Sequence, residues 1–420
     1  MIGWIEIVQD IVYFFSLYYV VFWVLVLLDD EPVQKKLKGQ PEVSILIPAY
    51  NEEGNVIPTL KSVEALDYPK NKIAVYIMDD GSTDNTYKEA LAYSKLMLKN
   101  HDYKRVVVIT QKNKGKYAAM NAALKMVDTE FFASLDADSM PKKDALKKIM
   151  ECFGDEKVAG VSPVMKVYKP SNTLQTIQYF EYLVNHFYKS VIKKLDSIHV
   201  LPGPLSVYRT AVVKKLGGFR EAHKTEDMEL AMRIQKAQYK ITQCNDAFVY
   251  TKAPYSLKSL YRQRHRWNYG TFRNLLDYKK MIFNRKYGDF GVFQLPMIML
   301  SGLLGIIVLG LLSHAFWKGV RPFFRLLQLY NYNIIELIRQ SSMNIIWLDI
   351  DLRSLITFMI VFGLTLMIMW LSFRLYKQKY GLKTTLPFIF YLFFYYLFLA
   401  VVWLGVFKDY IIGTKVGWRK

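Results

Sequence analysis

The stretch FFASLDAD, residues 131–138, decides the fold class of this chain. It opens with an apolar run of the kind found in buried strands and ends with two aspartates, Asp136 and Asp138. Side chains two residues apart on an extended segment point the same way, so both carboxylates should face one crevice. We therefore predict a strand that ends in a pair of acidic side chains.

Three earlier runs also predict buried strands: VSILIPAY (Val43–Tyr50), IAVYIMDD (Ile73–Asp80) and RVVVIT (Arg105–Thr110). Helix-like segments separate them, one starting near Asn85 with Ser82 and Asp84 as caps, the next covering Lys114–Val127. This alternation predicts an α/β domain with a mostly parallel sheet.

Three of the four predicted strands run into polar residues, in PAYNEE, DDGSTD and DADS. Taken singly, Asp84 reads more simply as a helix cap and DDGS as an ordinary turn. Because ligands bind outside the carboxyl ends of parallel strands, the three polar segments should converge on one crevice.

The chemistry expected there is that of a hard cation and a phosphate. Asp136 and Asp138 would repel unless a cation lay between them, and Mg2+ or Mn2+ prefers carboxylate and phosphate oxygens. Lys116 follows Gly115 at a helix start, where backbone amides also meet phosphates. The simpler alternatives are a surface turn for the aspartates and a solvated side chain for the lysine.

A second acidic element is the segment KTEDMELAMRIQKA, Lys224–Ala237. Thr225 is placed to cap a helix whose first turn holds Glu226 and Asp227. Acids in a first turn stabilise the helix dipole, and one near a crevice can also act as a general base.

The chain is 52% hydrophobic, and many of its hydrophobic residues lie in four uncharged runs. Each run is about long enough to span a bilayer. The runs are Ile11–Leu28, Phe290–Phe316, Leu355–Leu371 and Leu386–Val406. The first could instead be a secretory signal, but acidic residues precede it and no small-residue cleavage site follows. We therefore predict an uncleaved anchor, a soluble domain and three further spans.

The net charge of +20 raises the question of a nucleic-acid partner. Much of the excess flanks the apolar runs, however, as at Lys35, Lys36 and Lys38, and favours a bilayer with anionic headgroups instead. We expect a multi-pass cell-membrane protein with its soluble domain in the cytoplasm and no nucleic-acid partner. The two cysteines are too few for a disulfide scaffold.

Just before the second run lies YRQRHRW, Tyr261–Trp267. Arginine meets phosphate with two parallel hydrogen bonds, and an indole offers a flat face to a sugar ring. The alternative is an interfacial helix that only anchors the chain.

In order, PAYNEE, DDGSTD, NKGK, DADS, GPLSVYR, TED and QRHRW resemble the processive, membrane-integrated family 2 glycosyltransferases. That group includes the cellulose, chitin, hyaluronan and poly-N-acetylglucosamine synthases. The resemblance covers residues 43–267 and implies a GT-A-type nucleotide-sugar-binding domain flanked by transmembrane helices. The units expected are 1–39 (first span and basic linker), 40–254 (glycosyltransferase domain), 255–289 (interfacial segment) and 290–420 (membrane region).

The resemblance also implies roles for single residues. It assigns Asp80, Tyr50 and Glu52 to the nucleotide pocket, Asp136 to the nucleotide and Asp138 to the metal. Asp227 and Glu226 are the catalytic residues expected, with Asp227 as the base. Gln263 and Arg266 would hold the diphosphate, with Lys116 as a further cation, and Trp267 would pack on the acceptor sugar. The loop from Gly203 to Arg209 would line the acceptor site.

The function implied is inverting, processive transfer from a UDP-sugar, N-acetylglucosamine above others, onto a growing polysaccharide. Single transfer to a polyprenyl-phosphate or another lipid-linked acceptor uses the same donor fold, but the QRHRW motif argues against it. A catalytically silent membrane partner is disfavoured by the intact acidic motifs. Four spans are fewer than several polymer synthases have, so transfer is better supported than translocation, and a small partner subunit or a homo-oligomer fits the pattern.

Overall fold

The computed structural model describes residues 4–29, 35–335, 352–378, 381 and 384–413. The strands are β1 (Val43–Ala49), β2 (Ile73–Asp79), β3 (Arg105–Thr110), β4 (Phe131–Ser134), β5 (Ser139–Pro141), β6 (Val158–Val167), β7 (Ser206–Arg209) and β8 (Lys240–Thr251). Within the described ranges they form one mixed sheet in the order β3-β2-β1-β4-β7-β6-β8-β5.

Helices surround this sheet and extend away from it. The α-helices are α1 (Trp4–Leu28), α2 (Val56–Glu64), α3 (Thr86–Asn100), α4 (Lys116–Met126), α5 (Ala145–Glu151), α6 (Thr173–Ile192), α7 (Thr210–Lys215), α8 (Glu226–Lys236), α9 (Leu257–Asp277), α10 (Leu295–Leu329), α11 (Leu352–Leu375), α12 (Thr385–Phe390) and α13 (Tyr396–Ile412). A π-helical turn, Phe290–Gln294, leads into α10, and a second, Tyr391–Tyr395, joins α12 to α13.

The four predicted strands are present as β1 to β4, but the burial predicted for β3 was wrong, because β3 forms the edge of the sheet and is only partly buried. Strand β1 lies between β2 and β4 with both pairings parallel. Alternate side chains of β1 enter two cores: Ile45 and Ile47 pack under α2 and α3, whereas Leu46 packs under α4. Full burial of such a side chain contributes about 1.5–3 kcal/mol. The chain continues from β1 to β2 on one side and later to β4 on the other, so a ligand crevice is expected beyond the carboxyl ends of β1 and β4.

The second half of the sheet departs from a purely parallel pattern. Strand β7 is antiparallel to both β4 and β6, β8 is parallel to β6, and the short β5 is antiparallel to β8. Strand β4 also ends at Ser134, earlier than predicted, and Asp136 and Asp138 lie in the turn that leads to β5. The two aspartates are therefore neighbours within a turn. They do not share one face of a strand, although the sequence had predicted that they would.

The loops after β1 and β2 are hydrogen-bonded to each other at the carboxyl ends of these strands. Asp84 accepts a hydrogen bond from the backbone nitrogen of Thr86 at 3.0 Å, which confirms its place at the start of α3. Ser82 does not cap that helix: its hydroxyl accepts from the backbone nitrogen of Asn51 at 2.9 Å. The prediction for Ser82 was wrong because the serine serves the neighbouring loop.

Four helical segments within the described residues are long and apolar enough to cross a membrane: Trp4–Leu28, Phe290–Leu329, Leu355–Leu375 and Thr385–Ile412. They coincide with the four predicted runs. The last of them, Thr385–Ile412, is called the final span below. Parts of the predicted first unit and membrane region, namely residues 1–3, 30–34, 336–351, 379–380, 382–383 and 414–420, lie outside the described residues.

The first span is fastened to the sheet domain and to the second span. Phe22 stacks on Phe293 with 3.9 Å between ring centroids, and Trp23 packs edge-on against Tyr188 of α6 at 4.7 Å. The amino group of Lys194 donates to the carbonyl oxygens of Val26, Leu27 and Asp29 at 3.1, 3.2 and 2.6 Å. The last carbonyls of a helix lack partners within the helix, so Lys194 completes the end of α1.

Candidate active site

Lys116 joins two acidic segments that are far apart in the sequence. Its amino group lies 2.6 Å from a carboxylate oxygen of Asp136 and 3.4 Å from one of Glu226. Burial opposes the charge of Lys116, but Asp136, Glu226 and Asp227 outweigh it and raise the lysine pKa. The turn after β4 and the start of α8 therefore meet around the charged amino group of Lys116.

Gly203 lies directly against the carboxylate of Asp136. A Cβ atom built at Gly203 would overlap both carboxylate oxygens, so only a glycine permits this approach. The GPL segment is thus brought to the acidic turn, where the sequence predicted an acceptor loop.

Asp138 lies close to other acidic groups. Burial first, and then the charges of Asp136 and Glu52, raise its pKa to about 6, although the hydroxyl of Ser139 donates to its carboxylate at 3.0 Å. A bound cation would relieve this repulsion. Among the described residues no three His, Cys, Asp or Glu side chains form a complete metal cage. The residues fit a divalent ion that takes its remaining ligands from substrate phosphates.

Asp80 shapes the loop before α4. One of its carboxylate oxygens accepts from the amide of Gln111 at 2.7 Å and the backbone nitrogen of Lys114 at 3.0 Å, and the other accepts from the nitrogen of Gly115 at 2.8 Å. Gly115 has a φ of 91°, which suits glycine. Asp80 thus fixes the backbone that presents Lys116.

Tyr50 and Glu52 follow β1 on the same side. The side chain of Tyr50 is 40% exposed. The backbone nitrogen of Glu52 donates to the hydroxyl of Thr86 at 2.7 Å, and its carboxylate accepts from the amide of Asn55 at the same distance. Because Glu52 also raises the pKa of Asp138, the structure places it beside the metal-site candidate.

Asp227 lies in the first turn of α8, and its pKa is raised above the ordinary value for an aspartate. Burial and the neighbouring Glu226 raise the pKa of Asp227 to about 6, against the opposing charges of Lys116 and Arg266. A carboxylate with a pKa nearer neutrality is a better general base than an ordinary aspartate. Glu226 is buried and held by Lys116.

The backbone that leads into α8 is unusual. Ala222, His223 and Lys224 all have left-handed conformations, with φ of 41°, 54° and 68°. Such conformations are costly for residues other than glycine and persist where the surroundings impose them. Thr225 was predicted to cap α8, but its hydroxyl donates to the carbonyl of Ala222 at 3.0 Å and accepts from the amide of Asn274 at 2.9 Å. That prediction was wrong because Thr225 braces this turn against α9.

Helix α9 carries the QRHRW motif to the same site. A guanidinium nitrogen of Arg266 donates to the carbonyl of Lys224 at 3.0 Å. Burial lowers the pKa of Arg266, while the carboxylates of Glu226, Asp227 and Asp136 act in the opposite direction. Arg266 therefore lies within electrostatic reach of both acidic segments. Trp267 packs beside Tyr182 and Ala253.

Sequence reasoning missed the role of Arg264. Its side chain is only 2% exposed, and its guanidinium forms a two-pronged ion pair with Glu181 of α6 and also donates to Gln263. The guanidinium carbon lies 4.3 Å from the centroid of Trp267. The sequence signal that could have revealed this pair is Glu181, a single acid within the apolar pattern of α6. A buried acid requires a positively charged partner.

Arg209 does not join this cluster. It pairs with Phe131 at the beginning of β4, the end opposite to Asp136. Its guanidinium donates to the carbonyls of Val158 and Phe153 and to the carboxylate of Glu130, at 3.1, 3.0 and 3.0 Å. The prediction of a substrate contact was wrong because β7 runs away from Gly203, and Arg209 ties strand ends together.

Two family patterns match this chain. The model "Glycosyl transferase family 2" matches residues 44–217, and "Glycosyl transferase family group 2" matches residues 131–406. The second match covers more than half of the chain. The chain is a membrane-type family 2 glycosyltransferase.

A solved relative shows the fold of this glycosyltransferase over nearly its whole length. It is a mannosyltransferase from Pyrobaculum calidifontis in complex with GDP-Man and Mn2+; it superposes with a TM-score of 0.65 at 15% identity and covers 98% of each chain. The predicted GT-A-type domain with flanking apolar helices is therefore confirmed.

Curated relatives of this glycosyltransferase carry different names. A probable glycosyltransferase of Bacillus subtilis is 29% identical over 258 residues, 60% of either chain. A beta-monoglucosyldiacylglycerol synthase of Nostoc is 28% identical, over 64% of this chain and 57% of its own. A poly-beta-1,6-N-acetyl-D-glucosamine synthase of Staphylococcus epidermidis is 27% identical, over 63% and 65%. The chain thus matches less than two thirds of the length of each.

Proposed function

We propose that this protein is an inverting, processive glycosyltransferase that polymerises N-acetylglucosamine from UDP-N-acetylglucosamine into a β-linked polysaccharide. The observation that carries the proposal is the bridge of Lys116 to Asp136 at 2.6 Å and to Glu226 at 3.4 Å, with Arg266 on the adjoining turn. The closeness of these groups supports one shared site for donor binding and base catalysis.

The donor diphosphate would meet three cationic groups. Lys116 and Arg266 would contact its oxygens, with Gln263 beside them, and Asp138 would hold Mg2+ or Mn2+ near Asp136. When bound, the divalent ion neutralises charge that develops on the leaving UDP. Cations already in place for that charge lower the barrier by several kcal/mol. Tyr50, Glu52 and Asp80 would line the nucleotide end.

The transfer step requires a base on the acceptor side. Asp227 would take the proton from the acceptor hydroxyl while that oxygen forms its bond to the anomeric carbon. The bond from that carbon to the phosphate oxygen breaks, UDP leaves with the electron pair, and the configuration is inverted. Glu226 is held by Lys116. We therefore assign it to positioning Lys116 beside Asp227.

The acceptor sugar would rest on Trp267, next to the loop that contains Gly203. Four helices long enough to span a bilayer flank the domain. We propose that the polymer leaves between them, and that the catalytic domain lies in the cytoplasm, where its basic flanking residues are favoured. A partner subunit or a second copy would complete this path where four spans do not suffice.

A specific feature also favours single transfer to a lipid-linked acceptor as a second candidate function. An apolar groove of about 150 Å³ runs between α6, α9 and the final span and is lined by Ile177, Leu260, Phe394 and Tyr395 among others. Leu260 is one helical turn from Arg264 and Ile177 one turn from Glu181. The groove would hold the hydrocarbon tail of an acceptor whose head group reaches Trp267.

The size and solubility of the product distinguish the two candidate functions. Detergent-purified protein is incubated with a panel of radiolabelled UDP-sugars plus Mg2+ or Mn2+, and the product is sized. We expect a long polymer from UDP-N-acetylglucosamine that stays in the aqueous phase after delipidation. A product of one sugar that extracts into organic solvent would support the lipid-linked acceptor and overturn processivity.

A further inference from the structure

Helix α9 makes contacts on two sides, and one side faces the left-handed turn Ala222–Lys224 that precedes Asp227. Besides the hydrogen bond from Arg266 to Lys224, Gly270 packs so closely on Thr225 that a Cβ atom there would overlap the threonine side chain. Asn274 donates to the hydroxyl of Thr225 at 2.9 Å. The left-handed turn before Asp227 is therefore shaped by α9.

The other side of α9 faces the final span. The Nε2 atom of His265 lies 3.1 Å from a carboxylate oxygen of Asp409. Gly405, one turn earlier, approaches Tyr261 and His265 so closely that a Cβ atom there would overlap the tyrosine hydroxyl. Phe272 packs edge-on against Phe407 and Tyr410, at 5.1 and 4.9 Å between centroids.

The polar pair stands out within this apolar contact. His265 is 8% exposed, and its ring lies between those of Tyr261 and Tyr269. Asp409 is the only acidic residue in the sequence of the final span, Thr385–Ile412. Ionisable residues in membrane helices are costly and usually functional. Simple anchoring would be satisfied by the aromatic contacts alone.

We propose that His265 and Asp409 form a positioning pair for glycosyl transfer. The pair fixes the rotation of α9 on the final span, and α9 then holds Arg266, Trp267 and the turn before Asp227 in mutual alignment. The contact between His265 and Asp409 is thus the link through which the membrane region sets the geometry of the acceptor. This inference rests on the proposed roles of Trp267, Arg266 and Asp227.

The test uses the full chain in detergent or nanodiscs with His265→Gln, Asp409→Asn and the double variant. The matched control is Lys408→Gln, because Lys408 is exposed and adjacent to Asp409. For each protein we measure the UDP affinity, metal-dependent donor hydrolysis, the kcat and acceptor KM of transfer, and the melting temperature.

We expect UDP affinity and donor hydrolysis to stay within about twofold of wild type. Transfer should fall about 10- to 100-fold, because misplacement by about 1 Å can cost a hundredfold. The double variant should be no worse than the worse single one, since both remove the same contact. Asp409→Glu should recover part of the rate.

Two results would overturn the proposal. One is a lowered melting temperature with unchanged specific activity of the folded protein, which would reduce the pair to a structural anchor. The other is an equal loss in Lys408→Gln. If wild type adds only one sugar, the proposed polymerisation fails, but the same variants still test the pair because single transfer needs the same alignment.

Discussion

The guanidinium carbon of Arg264 lies 4.3 Å from the centroid of the Trp267 ring while the same guanidinium is paired with Glu181. The indole is thereby backed by a buried cation that α6 holds in place. A flat planar group suits this position, because it can stack on the ring and bind a carboxylate at two points together.

Arg264→Lys should therefore reduce elongation at least about tenfold while UDP binding is preserved, since an ammonium cannot both stack and bind two oxygens. Arg262→Lys is the control, because Arg262 is exposed on the same helix. Polymer length and UDP affinity measured for both variants decide the matter. Equal effects would remove Arg264 from the positioning of Trp267.

Gly203→Ala should displace the carboxylate of Asp136, because the added methyl group would occupy its place. We expect a weaker apparent metal affinity and at least about tenfold slower transfer with a folded protein, as misplacement by about 1 Å costs up to a hundredfold. Gly310→Ala, where the added atom meets nothing within 4 Å, is the control. Metal titrations followed by donor hydrolysis would report the change, and an unaffected titration would contradict it.

Asp138→Asn should abolish metal-dependent activity, because it removes the carboxylate proposed to bind the divalent ion. The fold should remain intact and gain slightly in stability, since Asp138 is crowded by Asp136 and Glu52. Activity is measured across an Mg2+ and Mn2+ series, with EDTA-treated wild type as reference. Full turnover of the EDTA-treated enzyme would show that the metal assignment is wrong.

Asp227 should impose an acid limb on the pH profile. Its pKa is raised to about 6, so the deprotonated form that acts as base is present above that pH and is lost as the pH falls through it. With saturating metal, which displaces the proton of Asp138, kcat should fall about tenfold per pH unit below pH 6. Asp227→Asn should bind UDP normally and lose about two to four orders of magnitude in transfer. A rate independent of pH down to pH 5 would refute the assignment.

Trp267→Ala and Arg266→Ala should separate the two halves of the site. The first should keep UDP affinity and lose elongation, because the acceptor sugar loses its platform. The second should weaken UDP itself, since a charge-assisted contact to phosphate is lost. UDP binding and product length are measured on both purified proteins. Matching behaviour of the pair, with loss of expression alone, would favour an interfacial anchor.

The first half of the sheet and the four apolar helices followed from the sequence because their signals are local. Runs such as VSILIPAY are buried on both faces, and their polar ends converge because parallel strands end at one edge. Strand β7 gave no such signal: it lies antiparallel between β4 and β6, a pairing that depends on residues far away in the chain.

Residues whose partners are distant in the sequence were the ones misjudged. Arg264 and Glu181 are 83 positions apart, and the hydroxyl of Thr225 is engaged by Asn274, 49 positions away. Arg209 shares a motif with Gly203 but lies at the other end of a strand. The motifs were enough to predict that Asp136, Asp138 and Asp227 belong to one site. They could not predict which motif residues, such as Arg209, lie far from that site, because packing decides this.

The contact of Lys194 with the end of α1 bears on how this enzyme can be dissected. A shortened version lacking the first span would leave the amino group of Lys194 without its three carbonyls and uncover Tyr188 and Phe293. An uncovered aromatic patch of this kind promotes aggregation. Truncation at residue 40 should therefore give a product that aggregates even in detergent, so the first span and the sheet domain should be purified together.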